Sequence, residues 1–267
     1  MNYEVRQLGK DTWMIRSMMV QMFLIAGTEK AMLIDTGAGM GDLKAQVEKL
    51  TDKPLIVVNT HGHVDHAGGN FQFKEVWMHA DDFSAADWMC TLSERQEYVR
   101  SRLAVFAPEQ TQEAVDSLQP CVDYEKKALT EGQVFDLGDR ELEVIFTPGH
   151  THGSVCFLDR RYRRIFTGDT VNYGMLLQKS YECTALSVYV ESLKKLLARG
   201  GEFDTVLRCH GEPVGTKGDI QIVMGMVQRI ISGEVSGEHF VNPMRDCWNY
   251  TFGQKYSISY DGPNAEL

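Results

Sequence analysis

The sequence contains no uninterrupted apolar run of the length that a membrane-spanning helix needs, which is about 20 residues. Residues 1–6, Met-Asn-Tyr-Glu-Val-Arg, also lack the apolar segment of a secretory signal peptide. These two absences argue against an integral membrane protein and against an exported one. We therefore expect a cytoplasmic protein that has no membrane partner.

An excess of positive charge is absent as well. The chain has 27 Lys and Arg residues against 37 Asp and Glu residues, which gives a formal net charge of −10 at pH 7. No long basic stretch interrupts this acidic balance. Proteins that bind nucleic acids usually present a basic surface to the phosphates, so nucleic acid is not an expected partner.

Closely paired cysteines are also missing. The six cysteines are scattered along the chain without a Cys-X-X-Cys pair, as expected for reduced thiols in a large domain. Cys209 directly precedes His210, and this position allows two interpretations. The thiol is either a metal ligand or a buried side chain that faces away from the metal.

The length and composition are those of an ordinary globular protein, since 43% of the 267 residues are hydrophobic and 24% are charged. Such a chain can bury one well-filled core, so we predict a single domain over residues 1–267. The basic run at residues 160–164 lies between two predicted strands. We interpret this run as a solvated turn and not as a phosphate site.

Ligand-type side chains are concentrated in residues 60–66, whose sequence is Thr-His-Gly-His-Val-Asp-His. Three imidazoles and one carboxylate within seven residues are typical of a metal site. His61 and His63 are two residues apart, and Asp65 and His66 follow on a turn. Two ligand sets can therefore point to opposite sides of one backbone, and we expect two metal ions that lie side by side.

Further ligand-type residues follow other predicted strands. The loop itself comes after an apolar, β-branched segment at residues 53–59, which predicts a buried strand. His150, Asp169 and His210 each follow an apolar segment and lie next to Gly or Pro. Sites in α/β proteins gather at the carboxyl ends of strands. We therefore expect these three residues to contribute to the same site as the loop.

From about Val5 to Pro213, the chain resembles the metallo-β-lactamase fold superfamily of metallohydrolases. The resemblance rests on the 60–66 loop, on the three later segments, and on Leu-Ile-Asp-Thr-Gly at residues 33–37. It implies an α/β fold, namely a four-layer αβ/βα sandwich of two mixed β-sheets flanked by helices. It also implies one ligand set of His61, His63 and His150, a second set of Asp65, His66 and His210, and Asp169 as a bridge between the two metals.

Three other residues could support the site. The resemblance implies that Asp35 orients a ligand through a hydrogen bond, whereas a simple turn aspartate is the alternative. His79 and His152 could lie behind or beside the metals. His239 has no predicted role.

Two segments lie outside the two-sheet scheme. Residues 80–125 have a helical composition and form a predicted insertion, which lies at the mouth of the site or only covers the outer face of the sheet. Residues 214–267 form a predicted C-terminal extension, with an amphipathic helix near residues 221–231 and then a run of aromatic residues. This run packs on its own core or on a second copy in a homodimer, or it contacts substrate.

The ligand set predicts hydrolysis. Two metal ions that share a water molecule lower its pKa from 15.7 to about 7 and so supply hydroxide at neutral pH. In this scheme a bridging hydroxide attacks a carbonyl carbon, and Asp65 passes a proton toward the leaving atom. Tyr173, shortly after Asp169, either orients the carbonyl or is an ordinary loop residue. Imidazole and carboxylate ligands suit two zinc ions but also accept iron or manganese.

The resemblance narrows the expected reaction to hydrolysis of an ester, thioester or lactone in a small molecule. True β-lactamases of the superfamily generally lack an aspartate at the position of Asp169. Glyoxalase II enzymes resemble the loop but have a glycine, cysteine and arginine motif that is missing from residues 172–182. Acyl-homoserine lactonases share all seven ligands and use a tyrosine near the metals, for which Tyr173 is the candidate.

Other activities stay open at this point. A mononuclear-iron sulfur dioxygenase has the same fold and would make little use of His66 and His210. A phosphodiesterase or a β-lactam hydrolase is another alternative, and a noncatalytic metal-binding scaffold is the weakest one. The substrate itself is not determined by the sequence.

Overall fold

The computed structural model describes residues 3–242, 245–263 and 265. The chain folds into two compact units, Met1–Glu141 and Leu142–Leu267. Both units contain strands and helices, and each is described below by itself. The sequence predicts a single domain over residues 1–267, and the first and last of these residues lie outside the described part of the chain. The single domain therefore stays a prediction.

Seven strands form the sheet of the first unit in chain order. Neighbouring strands pair antiparallel from β1 through β4, and they pair parallel from β4 through β7. All side chains of β3 and β4 are buried, as expected for central strands that are covered on both faces. The strands are β1 (Glu4–Gly9), β2 (Thr12–Ser17), β3 (Val20–Ala26), β4 (Ala31–Ile34), β5 (Leu55–Val58), β6 (Glu75–Met78) and β7 (Glu125–Ala128), and a short β8 (Val134–Asp136) follows.

Helices occupy the connections between the parallel strands of this unit, because parallel neighbours need crossovers. The first of them, between β4 and β5, packs Leu43 and Val47 against the core. Three of the helices lie in the segment 80–125, so the predicted helical character of that segment is confirmed. The helices are α1 (Leu43–Glu48), α2 (Val64–Ala67), α3 (Phe83–Met89), α4 (Leu92–Phe106) and α5 (Thr111–Asp116).

The second unit contains two long helices and two sheets, the first of which consists mainly of antiparallel strands. Within this unit the first sheet has the order β14-β13-β11-β10-β9, and only its β11 and β13 are parallel neighbours. The helix between these two strands is the crossover that a parallel pair requires. The elements are β9 (Glu141–Phe146), β10 (Val155–Asp159), β11 (Arg164–Phe166), α6 (Leu186–Ala198), β13 (Thr205–Leu207), β14 (Val214–Gly215) and α7 (Lys217–Ile231), with β12 (Gly174–Leu177) before α6.

Helix α7 confirms the predicted amphipathic helix. It starts at a capping box in which Asp219 accepts a hydrogen bond from the backbone N–H of Thr216 at 2.6 Å. Its buried face consists mainly of aliphatic side chains of the second unit's core. In the described part of the chain, no helix is long and apolar enough to cross a membrane.

A four-stranded sheet in the second unit was not predicted. Its order is β12-β17-β16-β15, where β15 is Glu238–Asn242, β16 is Arg245–Phe252 and β17 is Tyr256–Tyr260. The predicted aromatic run forms these last strands. Its members Trp248, Tyr250, Tyr256 and Tyr260 belong to or pack against the core of the unit. For these residues, packing on the protein's own core is therefore confirmed.

Candidate metal centre

The histidine-rich loop starts directly after β5 and continues into α2, so Asp65 and His66 lie on the first turn of a helix. The rings of His61 and His63 are 4.7 Å apart, and those of His61 and His66 are 4.0 Å apart. Oδ2 of Asp65 lies 4.0 Å from Nε2 of His66. Within the first unit, the four predicted ligands of the loop therefore lie together.

Asp35 fixes the orientation of His66. Its Oδ1 accepts a hydrogen bond from the backbone N–H of Thr60 at 2.7 Å, and its Oδ2 accepts one from the Thr60 hydroxyl at 2.8 Å. The same Oδ2 lies 2.8 Å from Nδ1 of His66. Because an ionised carboxylate only accepts, Nδ1 carries the proton and Nε2 keeps the lone pair that a metal requires. The predicted hydrogen bond from a ligand to Asp35 is confirmed.

Three buried polar residues hold the backbone of the loop. The carbonyl oxygen of His66 accepts hydrogen bonds from the backbone N–H of Thr36 at 2.8 Å and from Nδ2 of Asn59 at 2.9 Å. Nδ2 of Asn70 donates in turn to Oδ1 of Asn59 at 2.8 Å. No role was predicted for these residues. A polar residue at the end of a buried strand, such as Asn59, is the signal that could have identified them.

Glycines allow other backbone segments to approach this loop closely. The N–H of Gly62 donates to Oδ2 of the buried Asp82 at 2.8 Å, and a Cβ at Gly62 would lie 2.7 Å from the Asp82 carbonyl oxygen. A Cβ at Gly69 would lie 2.3 Å from the carbonyl oxygen of Thr36. Side chains at these positions would displace the backbone that carries the ligands.

The second unit brings its three predicted ligands together. His150 follows β9, Asp169 follows β11 and His210 follows β13. Nε2 of His150 lies 3.5 Å from Oδ2 of Asp169, and Nε2 of His210 lies 3.4 Å from Oδ1 of the same carboxylate. The Asp169 carboxylate therefore has one imidazole at each oxygen.

The hydrogen bonds behind these residues leave ligand atoms available. Nδ1 of His150 lies 2.8 Å from the carbonyl oxygen of Leu176. A carbonyl only accepts, so Nδ1 is the protonated nitrogen and Nε2 has a lone pair. Nδ2 of Asn172 donates to Oδ1 of Asp169 at 2.9 Å and restrains the carboxylate. The sequence did not identify Asn172, because a loop asparagine carries no specific signal.

The residues present fit a metal ion. All seven predicted ligands, and also Asp35 and Cys209, belong to groups of three or more side chains that could hold a metal ion and whose ligand atoms lie within 4.8 Å of one another. Imidazole lone pairs and carboxylate oxygens are all acceptors, so close approach among them requires a cation or a proton. Cys209 is buried, and both interpretations of it stay open.

Helix α4 brings Tyr98 to the ligand loop of the first unit. The Tyr98 hydroxyl donates a hydrogen bond to Oδ2 of Asp65 at 2.9 Å. Burial and the nearby negative charge of Asp65 raise the pKa of Tyr98 well above 10, so the phenol keeps its proton at neutral pH. The predicted insertion therefore contacts a predicted ligand and does more than cover the sheet.

A buried arginine anchors α4 one turn earlier. Arg95 is fully buried, and its guanidinium donates to the carbonyl oxygens of Ala38 at 3.1 Å, Gly39 at 3.1 Å and Gln119 at 2.9 Å. The guanidinium carbon lies 4.5 Å from the ring centre of Phe71. These bonds tie α4 to the loop after β4 and to the segment after α5. Residues three apart share one helix face, so the anchor also positions Tyr98.

Tyr173 lies next to one ligand segment of the second unit. A Cβ at Gly211, the residue after a predicted ligand, would lie 3.4 Å from Cδ2 of Tyr173. Cζ of Arg208 lies 3.9 Å and Nζ of Lys255 lies 4.0 Å from the centre of the Tyr173 ring, and the ring of Tyr256 is 5.3 Å away. The role of Tyr173 in orienting a carbonyl stays a prediction.

Two arginines of the basic run at residues 160–164, Arg160 and Arg163, form ion pairs with neighbouring acids. Arg160 forms ion pairs with Glu143 and Glu202, and Arg199 forms ion pairs with the same two residues. Hydrogen bonds from Arg199 lower the pKa of Glu202 to about 2. The interpretation of the run as a solvated turn is confirmed.

The remaining histidines have other surroundings. Nδ1 of His79 accepts a hydrogen bond at the start of the short helix Ala80–Asp82. His152 is exposed. His239 is half exposed and stacks on Trp248 with ring centres 5.5 Å apart.

The comparison with protein families decides the classification. The family model described as the metallo-beta-lactamase superfamily matches residues 16–210. The chain belongs to the metallo-β-lactamase superfamily. The matched residues include Asp35 and all seven predicted ligands. The resemblance that the sequence suggested is confirmed.

Relatives within the metallo-β-lactamase superfamily include hydrolases. The chain is 30% identical over 219 residues to the acyl-coenzyme A thioesterase MBLAC2 of Homo sapiens, a match that covers 73% of this chain and 74% of the relative. It is 25% identical to the hydroxyacylglutathione hydrolase GloC of Haemophilus influenzae, with coverage of 70% and 84%. This chain is thus a hydrolase of the superfamily, as predicted.

Solved structures of the superfamily show the same fold. A metallo-beta-lactamase from Pontibacter korlensis superposes with a TM-score of 0.60 at 20% identity and covers 85% of this chain and 99% of that one. The sec-alkylsulfatase Pisa1 from Pseudomonas sp. gives a TM-score of 0.65 at 17% identity, with coverage of 86% and 42%. These matches concern the fold alone, and they confirm the predicted α/β class.

Proposed function

We propose that this metallo-β-lactamase superfamily member hydrolyses thioesters of small molecules. The observation that carries the proposal is the nature of its relatives. They include an acyl-coenzyme A thioesterase, hydroxyacylglutathione hydrolases and an atrochrysone carboxyl ACP thioesterase. Among the ester, thioester and lactone hydrolases that the sequence allows, these names favour thioesters. None of these three names points to a phosphodiester, a β-lactam or sulfur oxidation.

The proposal includes two zinc ions and assigns their ligands by the family pattern. The clustering of the loop ligands in the first unit and of the Asp169 group in the second unit supports it. An imidazole at each oxygen of Asp169 suits a carboxylate that is shared by two metals. One ion is assigned to His61, His63 and His150, the other to Asp65, His66 and His210, with Asp169 between them.

The metal ions and the surrounding side chains would then have separate roles in the reaction. When bound, the zinc ions would polarise the substrate carbonyl and lower the pKa of a water molecule to about 7. Asp65 would accept the proton that the attacking water releases and deliver it to the leaving sulfur. Tyr98 would keep the Asp65 carboxylate in one orientation through its hydrogen bond. Asp35 would do the same for His66.

The test is a hydrolysis panel with zinc-loaded protein. It compares thioesters, lactones, aryl esters, β-lactams and phosphodiesters, and thiol release reports on thioester cleavage. We expect kcat/KM to be highest for a thioester and to fall at least about 100-fold in Asp65→Ala, because that change removes both a ligand and a proton carrier. A faster lactone or phosphodiester would overturn the choice of thioester. Oxygen consumption with one iron per chain would favour the dioxygenase alternative.

Tyr173 has a separate test within the same proposal. If its hydroxyl orients the substrate carbonyl, Tyr173→Phe should lower kcat by about fivefold, since one hydrogen bond contributes on the order of 1 kcal/mol. The ring and its contacts with Arg208 and Lys255 are kept in this variant. An unchanged rate would exclude the orienting role.

A further inference from the structure

Lys255 has an exposed positive charge that lies over an aromatic ring. It is the last residue of the turn between β16 and β17, and its Nζ lies 4.0 Å from the centre of the Tyr173 ring. A cation at this distance from a ring is attracted to its face. Among the described residues, its ammonium group forms no ion pair. The ring therefore holds the ammonium group in place, and the group can still bind an anion.

The Tyr173 ring connects this lysine to the predicted ligands of the second unit. Tyr173 follows Asp169 by four residues, and Asn172 between them donates to the Asp169 carboxylate. The ring also lies against Gly211, the residue after a predicted ligand. The backbone N–H of Ser257, on the same hairpin as the lysine, donates to the Tyr173 carbonyl at 2.8 Å. The hairpin is thus fixed beside the ligand segments.

The local charge balance at this ring is positive. Arg208 is fully buried, and its Nη2 lies 3.2 Å from Oδ2 of Asp219. The Tyr256 hydroxyl donates to the other oxygen of the same carboxylate. The Asp219 carboxylate thus interacts with both cations, Arg208 and Lys255, and one positive charge of this group remains in excess. In a chain with a net charge of −10, such a spot beside the ligands attracts anions.

We propose that Lys255, held on Tyr173, binds an anionic phosphate or carboxylate group in the thiol half of the substrate. This inference rests on the proposed thioester hydrolysis and deepens it. Thiols that carry acyl groups in water commonly bear phosphates or carboxylates, whereas the acyl chain is often apolar. A flexible ammonium on a hairpin turn can follow either anion, because it binds as a point charge. The subsite would select the thiol half, whereas metal ions bound by the predicted ligands would polarise the reacting carbonyl.

The experiment uses three thioesters with one hexanoyl group and different thiols. The thiols are coenzyme A, which carries phosphates, glutathione, which carries carboxylates, and N-acetylcysteamine, which is neutral. The measured quantity is the ratio of kcat/KM for each anionic substrate to that for the neutral one. Lys255→Ala should lower this ratio about fivefold through KM, as expected for loss of one partly exposed charge pair. Lys255→Arg should restore most of it.

Controls separate the subsite from general charge effects. Lys194→Ala removes an exposed lysine of helix α6 that pairs with Glu191, and it should keep the wild-type ratio. Higher ionic strength should lower the ratio in the wild type more than in Lys255→Ala. A fall only for the coenzyme A or only for the glutathione substrate identifies the phosphate or the carboxylate as the bound group.

Two results would overturn the subsite. An equal loss for anionic and neutral substrates would show that Lys255 only supports the fold of the hairpin, and no loss for any of them would show that it does not contact substrate. In both cases the wild-type activity would still support thioester hydrolysis. A wild-type protein that cleaves none of the three thioesters would overturn the proposed function, and the subsite with it.

Discussion

Replacement of Tyr98 by phenylalanine removes one hydroxyl from helix α4 and keeps the aromatic ring. The hydroxyl donates to Oδ2 of Asp65 at 2.9 Å, and the phenol is protonated because burial and the charge of Asp65 raise its pKa well above 10. Without this bond, the Asp65 carboxylate regains rotational freedom. We expect weaker binding of the metal ion that Asp65 is proposed to hold.

The size of the effect follows from the hydrogen bond. A hydrogen bond to a charged group contributes about 1.5–3 kcal/mol. The Asp65 side chain is 15% exposed, so water replaces part of the lost bond, and the lower end of this range applies. A loss of about 1.5–2 kcal/mol in binding free energy corresponds to a dissociation constant that is about 10- to 30-fold larger. This agrees with the roughly 10- to 100-fold losses caused when residues behind metal ligands are changed.

The assay is a competition titration of metal-free protein with zinc and a chromophoric chelator, which resolves the dissociation constants of the two proposed zinc ions. Tyr250→Phe is the matched control, because the Tyr250 hydroxyl also bonds a charged group, Nη1 of Arg229 at 2.7 Å. Thermal unfolding of the metal-free proteins reports any general loss of stability. We expect both variants to lose similar stability and only Tyr98→Phe to lose zinc affinity.

One result would refute the reasoning. If both zinc dissociation constants of Tyr98→Phe stay within about twofold of the wild type while its melting temperature falls as in the control, the hydroxyl contributes to the fold and not to Asp65. The insertion would then support the ligand loop through packing alone.

Three further predictions concern other residues. Asp169→Ala should lose at least one of two zinc ions per chain in metal analysis, and full occupancy would exclude its bridging role. Arg95→Met should lower the free energy of unfolding, measured in urea, by about 3 kcal/mol, because three backbone carbonyls lose a buried donor. Replacement of the exposed Arg100 on the same helix by Met should lower it by less than about 1 kcal/mol. Equal losses in the two variants would contradict the anchoring role of Arg95. Arg199 lowers the folded-state pKa of Glu202 to about 2. The ionised Glu202 side chain therefore stabilises the folded protein fully above the unfolded-state pKa of about 4.3, and this stabilisation is lost as the pH falls toward 2. Glu202→Gln should therefore be less stable than the wild type at about pH 6, by at most ~1 kcal/mol, and equally stable near pH 2; a difference that is independent of pH would contradict this.

Much of the fold could be predicted because its signals are local. An apolar, β-branched run at residues 53–59 marked β5, which is observed at Leu55–Val58, and amphipathic spacing near residues 221–231 marked α7, which is observed at Lys217–Ile231. The sheet of the C-terminal segment could not be predicted in this way. In it, β12 pairs with β17, so Met175 lies opposite Ile258. Such a pairing depends on chain segments that no short window contains together.

The same distinction applies to the candidate site. Asp35 could be assigned because it follows an apolar strand in a recognisable motif, and its hydrogen bond to His66 is present. Tyr98 and Asn172 could not be assigned a contact. The first is one of several aromatic residues in a charged helix, and the second is a loop asparagine. Each acts through one hydrogen bond whose partner is known only from the folded chain.

The sequence by itself determined the class of chemistry. Ligand types are specified by residues 60–66 and by the strand-end positions of His150, Asp169 and His210. Ligand type and spacing can be read directly from the amino-acid sequence. The tertiary structure decided which side chains orient those ligands and what lies around them. Tyr98 donates a hydrogen bond to Asp65 and Lys255 lies on Tyr173 because helix α4 and the β16–β17 hairpin fold back onto distant segments. Orientation and selectivity depend on such long-range contacts, whereas ligand identity does not.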